Sequence, residues 1–290
     1  SAGTYTAKAG TMDITNQGTI ENGEYTARGN LTYTDTAEAS LKDGTLISEE
    51  GKAKITAHGV LQIKKLSAKD SATVEADHDV TLTEAEAGTL AISSGGSVNA
   101  GTLTATTGDA KVKAKTNVTI GTLTAETGGA TIEATDAALD VTTLNAKSLT
   151  AKAGTTLSAK TLDVKEHAAL SSGGTMTLES ASADTLTANA GTTLDATKIH
   201  TASDASLVSG SDMVLHEAEA GGKLTTSAGG SISVKGTDAK ISGSTIEMTA
   251  KEDIRITDRS PVGKLDGVDT NTPAGSTTGS GAAGSLVTGE

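Results

Sequence analysis

Residues 148–159 read "SLTAKAGTTLSA", and residues 185–196 read "TLTANAGTTLDA". The chain writes nearly the same sentence twice, 37 residues apart. Self-similarity of this kind marks a repeat architecture, in which each copy is a rung and not a separate site. The wording recurs elsewhere. It appears as "YTAKAGTMDIT" at 5–15, "LTATTGDAKVKA" at 103–114, "LTAETGGATIEA" at 123–134 and "LTTSAGGSISV" at 224–234.

The glycines within these sentences give a shorter period. Gly154, Gly173, Gly191, Gly210 and Gly229 are spaced by 19, 18, 19 and 19 residues, and Gly10 to Gly29 is again 19. Gly108 to Gly154 is 46 residues, which is no multiple of 19, so the spacing predicts an insertion in that stretch. Inside each unit, apolar and polar residues alternate, as in "TTLDATKIH" at 192–200. That alternation is the signature of half-buried strands. Thr, Val and Ile suit a pleated surface, while Gly, Asn and Asp supply the breaks. Nineteen residues is too short for a strand–helix–strand unit, which needs about 30. It fits one coil of a β-helix with about three short strands. Roughly a dozen coils at ~4.8 Å each make a stack of about 60 Å.

Composition agrees. Aromatic residues are 1% of the 290, and Phe, Trp and Cys are absent. A spherical core leans on aromatic area; a narrow one is tiled by Leu, Ile, Val and Ala. The expected fold is all-β: a single-stranded right-handed parallel β-helix, or β-solenoid, of about 19 residues per coil over 1–258. Residues 1–50 are less regular and read as an N-terminal cap. Residues 259–290 hold both prolines, Pro261 and Pro273, and their Gly/Ser/Thr richness reads as a flexible tail or arm. The chain opens at Ser1, which reads as processing or excision from a longer protein.

The net charge of −13 argues against nucleic acid or an anionic membrane surface as partner. No apolar run approaches the ~20 residues of a membrane-spanning helix, so no membrane insertion is expected.

The "LTAxAGTTLxA" units resemble the haemagglutinin repeats of filamentous-haemagglutinin-type exoproteins, over residues 10–258. The resemblance implies a β-helix on or outside a bacterial cell, exported by two-partner secretion, acting as an adhesin or as a stalk. It carries no catalytic residue to this chain. The expectation is therefore a structural, non-enzymatic extracellular solenoid for cell-surface attachment. One alternative is a filament subunit, partnered with itself by end-to-end stacking and an exchanged C-terminal arm. Its assembly residues would be Tyr5, Tyr25, Tyr33, Leu286 and Val287. Another, weaker alternative is a polysaccharide-acting enzyme on the same scaffold. Further partners would be the rest of a longer exoprotein, or a host or neighbouring cell surface.

Site candidates are few. "EADHD" at 75–79 offers Asp77, His78 and Asp79 to a divalent cation, but alternating side-chain directions favour a solvated corner. "DGVDTN" at 266–271 offers Asp266 and Asp269 to Ca2+ without the EF-hand ligand ladder. No cofactor is expected. The acidic runs "TEAEAG" at 83–88 and "HEAEAG" at 216–221 each place two carboxylates on one face: Glu84 with Glu86, and Glu217 with Glu219. Paired carboxylates serve glycoside hydrolysis. Without an aromatic sugar platform they read instead as a charged, solvated strand face.

Overall fold

The computed structural model describes residues 3–35, 39–236, 239–257 and 276–286. Among these every regular element is a strand and there is no helix. The chain forms two compact units, 1–147 and 148–290. Each is a β-solenoid, with strands that pair in parallel with strands one coil away.

One coil of the second unit shows how the sequence makes the turn. In 149–153 the residues Leu149, Ala151 and Ala153 point inward and are buried. After the Gly154 corner the strand Leu157–Val164 continues with Leu157 and Ala159 inward. Lys160 and Thr161 are then both exposed. Two successive outward residues break the period of two, so the strand bends there. Leu162 and Val164 face inward again on a third side. The "KK" at 64–65 marks the same bend in the first unit, within the strand Leu61–Ala76.

Stacking explains the repeated sentence. Leu149 lies over Ala168, then Leu186, Ala205 and Leu224. The next inward column runs Ala151, Leu170, Ala188, Leu207 and Thr226. A third runs Ala159, Leu178, Ala196, Leu215 and Val234, and a fourth Leu162, Ala181, Ile199, Ala218 and Ile241. Large and small residues alternate along these columns, save at Leu215 and Val234, and the first is in opposite phase to the second, as the third is to the fourth. Most Leu residues of these four columns are thus seated between small residues of the coils above and below, whereas the column Leu157, Met176, Leu194, Met213 and Ile232 is large at every coil. This fills a narrow core at constant volume without any coil repeating the one before it. The sequence repeat is therefore two coils, while the structural repeat is one.

The first unit follows the scheme in part. Leu66, Ala85 and Leu103 stack beside Ala72, Leu90 and Ala110, again in opposite phase. Leu123 and Ala130 then repeat the preceding coil instead of alternating with it. Coil length also varies: Met12 pairs with Leu31, Tyr25 with Leu46, and Leu31 with Ala53.

The expected insertion between Gly108 and Gly154 is a misreading of the period. Gly108 sits at the corner before the strand Ala110–Ala114, and its equivalent in the next coil is Gly128. Gly154 sits at the corner that follows such a strand. The 46 residues join two different corners. Ala110 pairs with Ala130, so the coil here is simply 20 residues long.

The glycines of the second unit stand in a column because no side chain fits between the stacked corners. A Cβ on Gly173 would lie 2.1 Å from the Gly154 carbonyl oxygen. Gly191, Gly210 and Gly229 repeat this contact at 2.1, 2.1 and 2.0 Å from the carbonyl oxygen of the glycine one coil earlier. Of the segment after Thr257, the described part is Ser276–Leu286, a strand running antiparallel to Lys240–Ala250.

Candidate functional site

The outer faces carry the charged side chains of the described residues, save the buried Asp35. Their charges are largely arranged along the coil stack. Outward positions on adjacent coils lie over one another, so a Lys above a Glu makes a cross-coil pair. Lys65 pairs with Glu84 (3.8 Å), Lys113 with Glu133 (3.3 Å) and Lys198 with Glu217 (3.3 Å). Both acidic runs singled out in the sequence fall on such a face, and both flank an Ala of a large/small column, Ala85 or Ala218. The carboxylates of Glu84 and Glu217 are thereby held to lysines one coil earlier.

Glu219 is the most enclosed of these groups, with its side chain 21% exposed. It accepts from Lys240 one coil later and contacts His200 Nδ1 at 3.5 Å one coil earlier. The hydrogen bond from Lys240 holds its carboxyl below the usual carboxylate range, with His200 acting in the same direction against the opposing effect of partial burial. The Lys240 amine is raised by the same hydrogen bond. A carboxyl lowered on folding contributes stability above its ordinary value of 4.5, and that contribution is lost as pH falls through the lowered value. We expect Lys240→Met to lower stability at about pH 7 by roughly 0.2–1 kcal/mol, as for partly exposed pairs. The difference from wild type should narrow at acid pH, below the lowered value, where the carboxyl is protonated in both states. Thermal melts at neutral and acid pH check this.

The cation candidates at 75–79 diverge. Asp77 Oδ2 meets His58 Nδ1 at 2.7 Å, one coil earlier. Asp79 Oδ1 accepts from the Ser97 backbone N–H at 2.7 Å, one coil later. The His78 carbonyl accepts from Ser94 Oγ at 2.7 Å. Among the described residues no group of three or more His, Asp or Glu side chains converges in a metal-binding arrangement. Asp266, Asp269 and Val287 lie outside the described residues. Leu286 falls in the antiparallel strand, opposite Ile241.

The Asp79 contact belongs to a set that the sequence did not announce. Asp109, Asp204 and Asp212 each accept, through Oδ1, from the backbone N–H of Gly129, Lys223 and Ser231, one coil later. Asn30 and Asn117 do the same to Lys52 and Ala138. These corner side chains staple each coil to the next. The residues are familiar turn formers, and only the register shows that their partners are some 20 positions away.

The three tyrosines form one cluster in the first unit. Tyr5 is 56% exposed and stacks on Tyr25 with ring centroids 5.3 Å apart. Tyr25 and Tyr33 are buried. Tyr33 donates its hydroxyl to Asp35 Oδ1 at 2.7 Å, and Asn16 Nδ2 donates to both at 2.9 and 2.8 Å. Burial first, then the hydrogen bond to Asp35, pushes the Tyr33 phenol up.

A shallow groove of about 310 Å³ runs along the second unit. Its walls include Asp204 and Lys223, and Thr187, Ser206 and Thr225 stack along it on successive coils. Asp204 is occupied by the Lys223 N–H, and Lys223 Nζ by Glu247 at 2.7 Å. The groove therefore offers neutral hydroxyls, not free charge.

No helix among the described residues is long and apolar enough to cross a membrane. No family model, curated protein or solved structure matches this chain.

Proposed function

We propose that this chain is a structural, non-catalytic β-solenoid of the haemagglutinin or adhesin type. It acts outside a bacterial cell, in surface attachment or as a stalk. The observation that supports the reading is the use made of its side chains. Inward residues tile the core in alternating columns. Outward charges such as Lys65 with Glu84, and Lys198 with Glu217, are turned toward neighbouring coils. A catalytic face would instead converge unlike groups on a point in solvent. Here the same pairing geometry recurs from coil to coil, as in a scaffold.

The test is retention without turnover. Purified chain on beads is passed over bacterial and animal cell layers and over immobilised polysaccharides, and the same surfaces are assayed for cleavage products. Saturable retention with no product is the expected result. Turnover of a polysaccharide would overturn the reading. Electron microscopy over a concentration series runs alongside. Fibres that lengthen with concentration would make the chain a filament subunit instead of a stalk or adhesin.

A further inference from the structure

Two non-glycine residues with a left-handed backbone are Asn22 and Asp43, each with φ of 52°. They occupy the same corner in successive coils. Glu21 pairs with Lys42 before it and Glu24 with Thr45 after it, and the Asn22 N–H donates to the Lys42 carbonyl at 2.9 Å. Each is exposed, and each is followed by glycine: Gly23 and Gly44. Asn and Asp tolerate this backbone better than other side-chain-bearing residues, which accounts for their presence at the corner.

The chemistry of the pair is a separate matter. A carboxamide or carboxyl followed by glycine is poised for attack by the next backbone nitrogen, because glycine has no Cβ to obstruct it. Asn22–Gly23 is the one Asn–Gly step in the sequence. Its side chain is also unrestrained: it makes no hydrogen bond among the described residues. Asn30 and Asn117, by contrast, are held by the N–H groups of Lys52 and Ala138.

From these observations we infer that the Asn22/Asp43 corner is a site of cyclic-imide modification. The Gly23 nitrogen attacks Asn22 Cγ, and the side-chain nitrogen leaves as ammonia, taking the proton lost by the Gly23 N–H. Water then opens the ring at either carbonyl, returning a proton to the Gly23 nitrogen and leaving aspartate or isoaspartate. At Asp43 the Gly44 nitrogen attacks in the same way, water leaves, and water reopens the ring. Modification at residue 22 places a carboxylate on the corner directly beside Asp43. Like charges so placed repel. The isoaspartate product also adds a backbone atom next to Gly23, where Tyr25 and Ile20 leave no room: a Cβ there would lie 2.7 and 2.9 Å from them. The corner therefore works as an irreversible chemical timer that loosens the coil bearing Tyr25, on which Tyr5 of the preceding coil stacks.

The test ages the full folded chain in mildly alkaline buffer, with a urea-unfolded sample beside it. Peptide mass mapping follows each Asn, and an isoaspartate-specific methyltransferase reports the rearranged product. In the folded sample, Asn22 should convert several-fold faster than Asn99 and Asn189, which precede alanines. Isoaspartate should also accumulate at Asp43 without a mass change, and the tyrosine near-ultraviolet dichroism should decline with Asn22 conversion. Asn22→Ser should abolish the mass gain and preserve the dichroism. Conversion of Asn22 in the unfolded sample alone, or at the rate of Asn99 and Asn189 in the folded one, would overturn the proposal.

Discussion

Deleting 168–204 should give a protein that still folds and melts cooperatively, whereas the smaller deletion of 168–185 should be severely destabilised. The first removes two coils. It sets Leu149 over Ala205, which repeats its native contact with Ala168, and Leu157 over Met213, which repeats its contact with Met176. Stacked repeats contribute roughly additively, so the loss is that of two internal rungs. The second deletion removes one coil and puts the alternation out of phase. Leu149 meets Leu186 and Leu162 meets Ile199, while Ala151 meets Ala188 and Ala159 meets Ala196. The fillers Leu170 and Leu178 are gone from the two columns that need them. Each omission resembles a buried Leu-to-Ala change, at about 2–5 kcal/mol. Urea titration of both variants checks this: the longer deletion should have the higher midpoint. The opposite ranking would show that coil volume, not column phase, governs packing.

Gly191→Ala should destabilise far more than a glycine-to-alanine change usually does. The added methyl would sit 2.1 Å from the Gly173 carbonyl oxygen, a backbone atom with no rotamer by which to withdraw. Relief requires the two corners to part, and the Gly210 corner beneath is built on the same contact. Overpacking of this kind costs about 1–3 kcal/mol or more. Gly18→Ala is the matched control. Nothing lies within 4 Å of a Cβ there, and its φ is outside the left-handed range. The control should be neutral, or stabilising by about 0.4–1 kcal/mol through the unfolded chain. Thermal melts of the two variants against wild type decide the matter. Equal effects would mean that the stacked corners yield more easily than their geometry suggests.

Much of the architecture was legible in the chain. The alternation in "TTLDATKIH" shows which residues face inward, and the glycine spacing gives the coil. The near absence of aromatics indicates a narrow core. These are local properties: the direction of a side chain on a strand follows from the backbone alone. The site candidates were legible only as types. Adjacency in sequence makes Asp77, His78 and Asp79 a candidate ligand set, while the alternation of side-chain directions already favours a solvated corner. In the fold Asp77 turns to His58 and Asp79 to Ser97, each on a neighbouring coil.

What the sequence by itself determined is the solenoid and the inside and outside of each strand. The tertiary structure decided the register, meaning which residue of one coil lies over which residue of the next. Coil length changes by one or more residues at the corners, from 18 between Ala168 and Leu186 to 23 between Ala218 and Ile241, so no fixed period in the chain predicts it. Register turns the twice-written sentence at 148–159 and 185–196 into alternate rungs, with a coil of opposite phase between them. It also brings Lys198 over Glu217, Gly191 over Gly173, and Asn22 to the corner of Asp43. The physical reason is that in a parallel stack nearly every tertiary contact is made one whole coil away, and the corners set that distance.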